Sequence, residues 1–485
     1  MLRNTVPRFV SAVLFAGSVL VPSPAPSEPP PESQPESQPA PPERTTGGPL
    51  PKVRLPLPGA VEPSSPVAVL PAVSAGPAAP TTAGLTAVIG PLLARPALGT
   101  SVSAEVIDVA TGTTIFSKNA ARVAAPASSA KILTAAAALA SLGPDTTLPT
   151  RAVAGTSAGE VVLVGGGDVL LAPGKGDPDS TYGHAGLADL ADRTAASLRR
   201  TGTSTVTVRL DDTLFAGPSR NPLWAPGDVV GGFVAPVMSL EVMVGITRPT
   251  AQPRPGLPAP RLPDPAMSAA KRFATLLTAR GIAVSGQVAR ARAPQQAEVL
   301  GEVRSASVAD VVELALADSD NTVAEALARL VAIGSGRQAT FADGGRAVLD
   351  KVAELGVPTA GAQMAGGSGL GRGTLVSAAM IARTLSFAGS SDQPRLRPVL
   401  TGLPVAGASG TLAGRFAGTS QAAGVGVVRA KTGTLTRVSS LAGTVVDADG
   451  RLLAFTVLAD AVPATLPGRA ALDTAGAALA RCGCR

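Results

Sequence analysis

The 485-residue chain is short of aromatic residues, histidine, cysteine and lysine, and each shortage removes a class of function. Phe, Tyr and Trp make up 2% of it, so its cores must be packed by Ala, Val and Leu, and base stacking on aromatic rings is not an available mode of recognition. His184 is the only histidine. A Ser-His-Asp triad would have to be built on "STYGHAGLADLA", which has no nucleophile-elbow pattern, so His184 reads as a loop residue. Cys482 and Cys484 close the chain in "RCGCR". One intervening residue makes them poor candidates for an ordinary structural disulfide, and no histidine stands nearby to complete a metal site. The net charge is +7, but Lys and Arg are scattered rather than clustered. A solvated basic surface is expected, and no nucleic-acid partner.

Long apolar runs are also missing. The N-terminus carries two arginines, then 13 apolar or small residues from Phe9 to Val21, then a proline-rich stretch. That is the layout of an export signal, whereas a membrane span needs about 20 residues. Residues 1–25 are therefore expected to be a signal peptide or, if uncleaved, an N-terminal anchor with membrane association. Either way the protein is expected to be exported, to the cell envelope, the periplasmic space or the outer face of the cytoplasmic membrane. Sixteen prolines between Pro22 and Pro66 make 26–82 a linker rather than a domain.

Folded sequence is expected from near Ala83. "SVSAEVIDVATGTTIFSKN" alternates like two strands joined at Ala110-Thr111-Gly112, and an apolar helix follows, ending at Gly143. Near the C-terminus "SSLAGTVVDADGRLLAFTVLAD" reads as an antiparallel hairpin turning at Asp447 to Gly450, before a helix from about Gly468 to Arg481. Strands from both ends would form one sheet covered by both terminal helices. Residues 146–290 hold short strand-like runs, "EVVLVGGGD" and "TSTVTVRLDD" among them, and read as a strand-rich insertion. A helical stretch from about Ser307 to Ala388 precedes the final strands.

The chain uses seven lysines against 34 arginines, and one of the seven, Lys131, lies inside the apolar run "PASSAKILTAAAALASLG". Ser128 stands three residues earlier, on the same face of a helix. Burial would lower the lysine pKa from about 10.4 to roughly 7 or 8 and make it a competent base, which arginine cannot become. Ser128 is then an activated nucleophile. A lone S-x-x-K is weak, since "SAAK" at Ser268 to Lys271 repeats it on what looks like the polar face of an amphipathic helix. S-x-N occurs at Ser117/Asn119, Ser219/Asn221 and Ser319/Asn321, and only the third stands at a helix entrance. K-T-G occurs once, at Lys431, Thr432 and Gly433, on an expected strand.

In the order S-x-x-K, S-D-N, K-T-G these motifs match the active-site signature of penicillin-binding proteins and serine β-lactamases. From about residue 83 onward, "PASSAKILTAAAAL", "GGGDVLL", "DDTLFAGP", "SDNTVAEALAR", "GGSGLGRG", "LPVAGASGTLAGRF" and "KTGTLTRVSSLAG" resemble the D-alanyl-D-alanine carboxypeptidase/endopeptidase family of class C low-molecular-mass penicillin-binding proteins. The resemblance implies an α/β (α+β) transpeptidase-like fold, with an antiparallel sheet flanked by helices and a helical subdomain. The catalytic domain would be 83–145 and 291–485, with 146–290 inserted between the first two motifs. It implies attack by Ser128 on the peptide bond between two D-alanines, Lys131 as base, Ser319 as proton relay and Asn321 as a peptide holder. Lys431 and Thr432 would bind the terminal carboxylate, Gly433 would let substrate lie close, and the N–H groups of Ser128 and Thr434 would form the oxyanion hole. The implied partners are peptidoglycan stem peptides ending in D-Ala-D-Ala and, as covalent inhibitors, β-lactams. No metal or organic cofactor is implied.

The chain departs from that pattern at Gly366 and Ser409, where aspartates are usual, and in "APVMSLEVMVG", which lacks an asparagine-containing continuation. Two rival functions share the motifs. A class A β-lactamase would need a glutamate in an E-x-x-L-N context, and between Ser319 and Lys431 the only glutamates, Glu325 and Glu354, lack it. A catalytically silent wall-binding protein would not need the intact Ser128, Lys131, Ser319 and Lys431.

Overall fold

Strands from the two ends of the chain pair directly. The computed structural model describes residues 78–248 and 258–485, so the expected signal segment and all but the last residues of the proline-rich linker lie outside the described residues. Val102–Asp108 runs antiparallel between Thr113–Lys118 and Leu452–Ala459, and the sheet continues through Val438–Val446 to Arg429–Leu435 at its edge. Period-two alternation divides the central strands between two cores. Leu453, Phe455, Val457 and Ala459 pack with Leu85 and Ile89 of the helix Thr82–Leu93 and with Leu472 of the helix Thr465–Ala480. Ala454 and Leu458 face the other way, into a core shared with Leu139 of the helix Lys131–Leu142 and Ile381 of the helix Ala378–Gly389. The hairpin turns where expected: Asp447 Oδ1 accepts from the N–H groups of Asp449 and Arg451, and Gly450 takes φ 84°.

The expectation for the cysteines fails. Cys482 and Cys484 form a disulfide, with Cα atoms 4.9 Å apart. The chain leaves helical conformation after Ala480, so a single intervening residue suffices to bring the two side chains together at an ordinary Cα spacing. The Cys484 carbonyl accepts from Thr81 N at 2.8 Å, joining the tail to the first helix.

The segment between the first two motifs is less strand-dominated than its sequence suggests. Glu160–Val164 and Thr205–Asp211 pair in parallel, and so do Thr205–Asp211 and Ala289–Arg290. Parallel neighbours need crossovers, and two 14-residue helices, Leu187–Arg200 and Pro265–Thr278, lie within them. Leu187, Leu190, Ala191, Ala195 and Leu198 supply the apolar stripe of the first. The sheet also extends past residue 290, because Val299–Ser307 pairs with Thr147–Ala154. Four helices follow, Val308–Ala317, Asn321–Gly334, Phe341–Glu354 and Ala378–Gly389, matching the helical stretch expected there. None of the described helices is long and apolar enough to cross a membrane.

Candidate active site

The site lies where the helical region meets the edge strand Arg429–Leu435. Ser128 sits in a tight turn, Ala127–Ala130, that runs directly into the helix of Lys131. Ala127 holds φ 48°, a left-handed conformation that costs a residue other than glycine about 1–3 kcal/mol. Ser319 holds φ 58° in the turn between the helices Val308–Ala317 and Asn321–Gly334. Strain thus falls at Ser319 and at the residue just before Ser128. Asp320 caps the second helix by accepting from Val323 N at 3.0 Å, which fixes Asn321 in its first turn.

Lys131 is 1% exposed, and its Nζ lies 3.0 Å from Ser128 Oγ, 2.6 Å from Asn321 Oδ1 and 3.0 Å from the Ser368 carbonyl oxygen. Burial lowers its pKa to about 7 against the opposing pull of Asp320 and Glu325. Near neutral pH a large share of the amine is then uncharged. In that state two N–H bonds donate to Asn321 and Ser368, and the lone pair is left for the Ser128 hydroxyl.

Lys431 is also buried, and its Nζ donates to the Thr432 carbonyl at 2.9 Å. Burial holds its pKa well below the ordinary lysine value, the nearby Lys131 pushes the same way, and Asp318 opposes both. Burial and Asp320 raise Asp318 itself to about 6.

Gly433 is a glycine for a reason the sequence did not show. A Cβ there would lie 2.6 Å from the Pro126 carbonyl oxygen and 2.1 Å from Ser440 Oγ. The strand is pressed against the nucleophile's turn, and Ser440, the partner of Gly433 on the neighbouring strand, holds that turn by donating to the Pro126 carbonyl at 2.7 Å and sharing a 2.7 Å hydrogen bond with Ser129 Oγ. Thr432 Oγ1 reaches Thr411 Oγ1 at 2.9 Å, and Thr434 Oγ1 accepts from Arg469.

The other motif copies stand elsewhere. Ser268 and Lys271 are on the helix Pro265–Thr278, with Lys271 exposed. His184 lines an open cleft with Asp189, Arg193, Glu302 and Arg304, and none of the motif residues lines that cleft. Asn221 serves the site indirectly, since its Nδ2 donates to the Ala365 carbonyl at 2.5 Å, one residue before Gly366.

Four contributors were missed from sequence. Glu325 accepts from the N–H groups of Gly367 and Ser368 at 2.9 and 3.2 Å and from the Ser368 hydroxyl, so it anchors the loop whose carbonyl holds Lys131. Its signal was present, four residues after Asn321 on one helix and therefore on the same face. Ser368 and Phe233, whose carbonyl accepts from Asn321 Nδ2 at 2.9 Å, act through backbone oxygens, which carry no sequence signature. Arg469 has none either. At the other departure, Ser409 Oγ accepts from Val405 N at 3.0 Å and so closes its own turn.

Residues 85–260 and 257–479 match the D-Ala-D-Ala carboxypeptidase 3 (S13) family. The chain is 35% identical over 408 residues to carboxypeptidase DacB of Mycolicibacterium smegmatis, covering 84% of this chain and 85% of the relative. It is 31% identical over 445 residues to the D-alanyl-D-alanine carboxypeptidase of Actinomadura sp. (strain R39), covering 76% and 80%. The crystal structure of penicillin binding protein 4 (dacB) from Haemophilus influenzae shares the fold, with a TM-score of 0.65 at 22% identity, covering 82% of this chain and 97% of that one. With Ser128 and Asn321 both held by Lys131, and the match running through nearly the whole described chain, the protein belongs to the D-Ala-D-Ala carboxypeptidase 3 (S13) family.

Proposed function

We propose that the protein is an exported serine DD-peptidase that hydrolyses the bond between the terminal D-alanines of peptidoglycan stem peptides and is acylated by β-lactams. The observation that carries this reading is the contact set of Lys131 Nζ, which joins the nucleophile Ser128 to Asn321 of the second motif. Neutral Lys131 takes the Ser128 proton as Oγ attacks the carbonyl carbon. The N–H groups of Ser128 and Thr434 hold the oxyanion, an arrangement worth about 3–4 kcal/mol per donor in acyl transfer. The proton then passes from Lys131 through Ser319 to the leaving amine, the C–N bond breaks and D-Ala departs. Water next adds to the ester on Ser128, and its collapse restores the hydroxyl. Asn321 holds the peptide, which lies along the edge strand beside Lys431, Thr432 and Gly433 as an added strand would. With a β-lactam the leaving nitrogen stays tethered to the acyl group.

The test is intact mass and peptide mapping after incubation with benzylpenicillin, followed by digestion of muropeptides with the same preparation. Ser128→Ala should abolish the adduct and Ser268→Ala should leave it. Release of D-Ala marks carboxypeptidase action, and loss of cross-linked dimers marks endopeptidase action. An adduct on any residue other than Ser128, or no action on either muropeptide class, overturns the reading.

A further inference from the structure

The third motif supplies a lysine that is badly placed to meet a substrate's negative charge. Lys431 is fully buried, bonded to a carbonyl of its own strand, and close enough to Lys131 for charge on one to disfavour charge on the other. Alternation along Arg429–Leu435 puts Lys431 and Gly433 on the face toward the nucleophile's turn and Thr432 and Thr434 on the other. A cation waits on that second face. Arg469, from the first half of the helix Thr465–Ala480, donates to Thr434 Oγ1 through Nε at 3.3 Å and a terminal nitrogen at 3.2 Å.

Arg469 is electrostatically unsatisfied. The carboxylate on its own helix, Asp473, is held by Arg415 in a two-point pair at 2.8 and 2.6 Å. Arg469 has no carboxylate partner of its own among the described residues. Partial burial and Arg415 both push its pKa down, and only Asp473 offsets them. A half-buried guanidinium with only a hydroxyl for a partner costs the folded protein free energy, which a bound anion would recover.

We propose that Arg469, through the hydroxyl of Thr434, is the positive charge that receives the free carboxylate of the substrate's terminal residue. The inference rests on the peptidase reading above and adds a specificity-determining residue to it. It explains why the cation is arginine: a guanidinium does not lose its proton on partial burial as a lysine amine can, and its fork can span a hydroxyl and a carboxylate together.

The experiment compares acylation of Ser128 by benzylpenicillin and by its methyl ester, in wild type, Arg469→Gln and Arg469→Lys, with melting curves for all three. Arg469→Gln should slow acylation by the free acid roughly 10- to 150-fold, the size of one charge-assisted contact, and the ester by less than about threefold. Arg469→Lys should recover part of the loss on the acid. If Arg469→Gln proves unstable, Thr434→Val should show the same acid-selective loss. Equal losses on acid and ester, or none on the acid, overturn the role of Arg469 while leaving the nucleophile intact. Failure of both reagents to acylate wild type at Ser128 overturns the peptidase reading itself, and this inference with it.

Discussion

The carboxylate of Glu325 fills the space that a side chain at position 366 would take: a Cβ on Gly366 would lie 2.3 Å from Oε2. The aspartate usual at this point of the family pattern has no room here. Glu325, 1% exposed, collects two backbone N–H groups and a hydroxyl from the loop just after Gly366 and turns the Ser368 carbonyl toward Lys131. The departure at Gly366 is thus one half of a two-residue arrangement.

Glu325→Gln should therefore change how acylation depends on pH as well as how fast it runs. The charges facing Lys131 are Asp320 and Glu325, which raise its pKa, and Lys431, with which it is coupled. Removing one anion disfavours protonated Lys131, so the acidic limb of the rate profile moves to lower pH. The amide also presents N–H where the loop offers N–H donors, so the plateau should fall by roughly 10- to 100-fold as the loop shifts. Stopped-flow acylation across the pH range reads both effects. A lower plateau with an unmoved limb would mean that Glu325 serves only the fold.

In the wild type, acylation should fall as pH drops below about 7, because Lys131 must be neutral to accept a proton and its pKa lies at about 7. Coupling to Lys431 makes the observed midpoint a property of the pair. Lys131→Arg preserves the charge but removes the base, and should cost about 10²-fold or more. An arginine variant that keeps more than about a tenth of the rate would make Lys131 a fixed charge rather than a base.

Gly433→Ala should separate the edge strand from the nucleophile's turn. The obstructing atom, the Pro126 carbonyl oxygen at 2.6 Å, is backbone and cannot rotate away, so the change should cost about 1–3 kcal/mol of stability and at least about 10²-fold in acylation. Gly414→Ala, where a Cβ meets nothing within 4 Å, is the control and should change neither. Melting curves and penicillin labelling of both variants decide the matter, and normal labelling of Gly433→Ala would show that the strand has slack.

By itself the sequence determined what depends on near neighbours in the chain. Period-two runs marked Val102–Asp108 and Leu452–Ala459, the apolar stretch after Ser128 marked a helix ending at Gly143, and three-residue spacing put Ser128 and Lys131 within reach. The helix Leu187–Arg200 is amphipathic in "LADLADRTAASLRR", and the strand-like runs on either side of it carry the stronger local pattern. Only the tertiary structure decided the rest. Lys131 meets Asn321 190 residues away and Ser368 237 residues away, Glu325 meets Ser368 across 43, and Arg469 meets Thr434 across 35. None of these distances corresponds to a repeat of helix or strand. They are set by how two cores pack on opposite faces of one sheet, and burial in that packing also lowers the Lys131 pKa, since desolvation depends on what surrounds a group rather than on its neighbours in the chain.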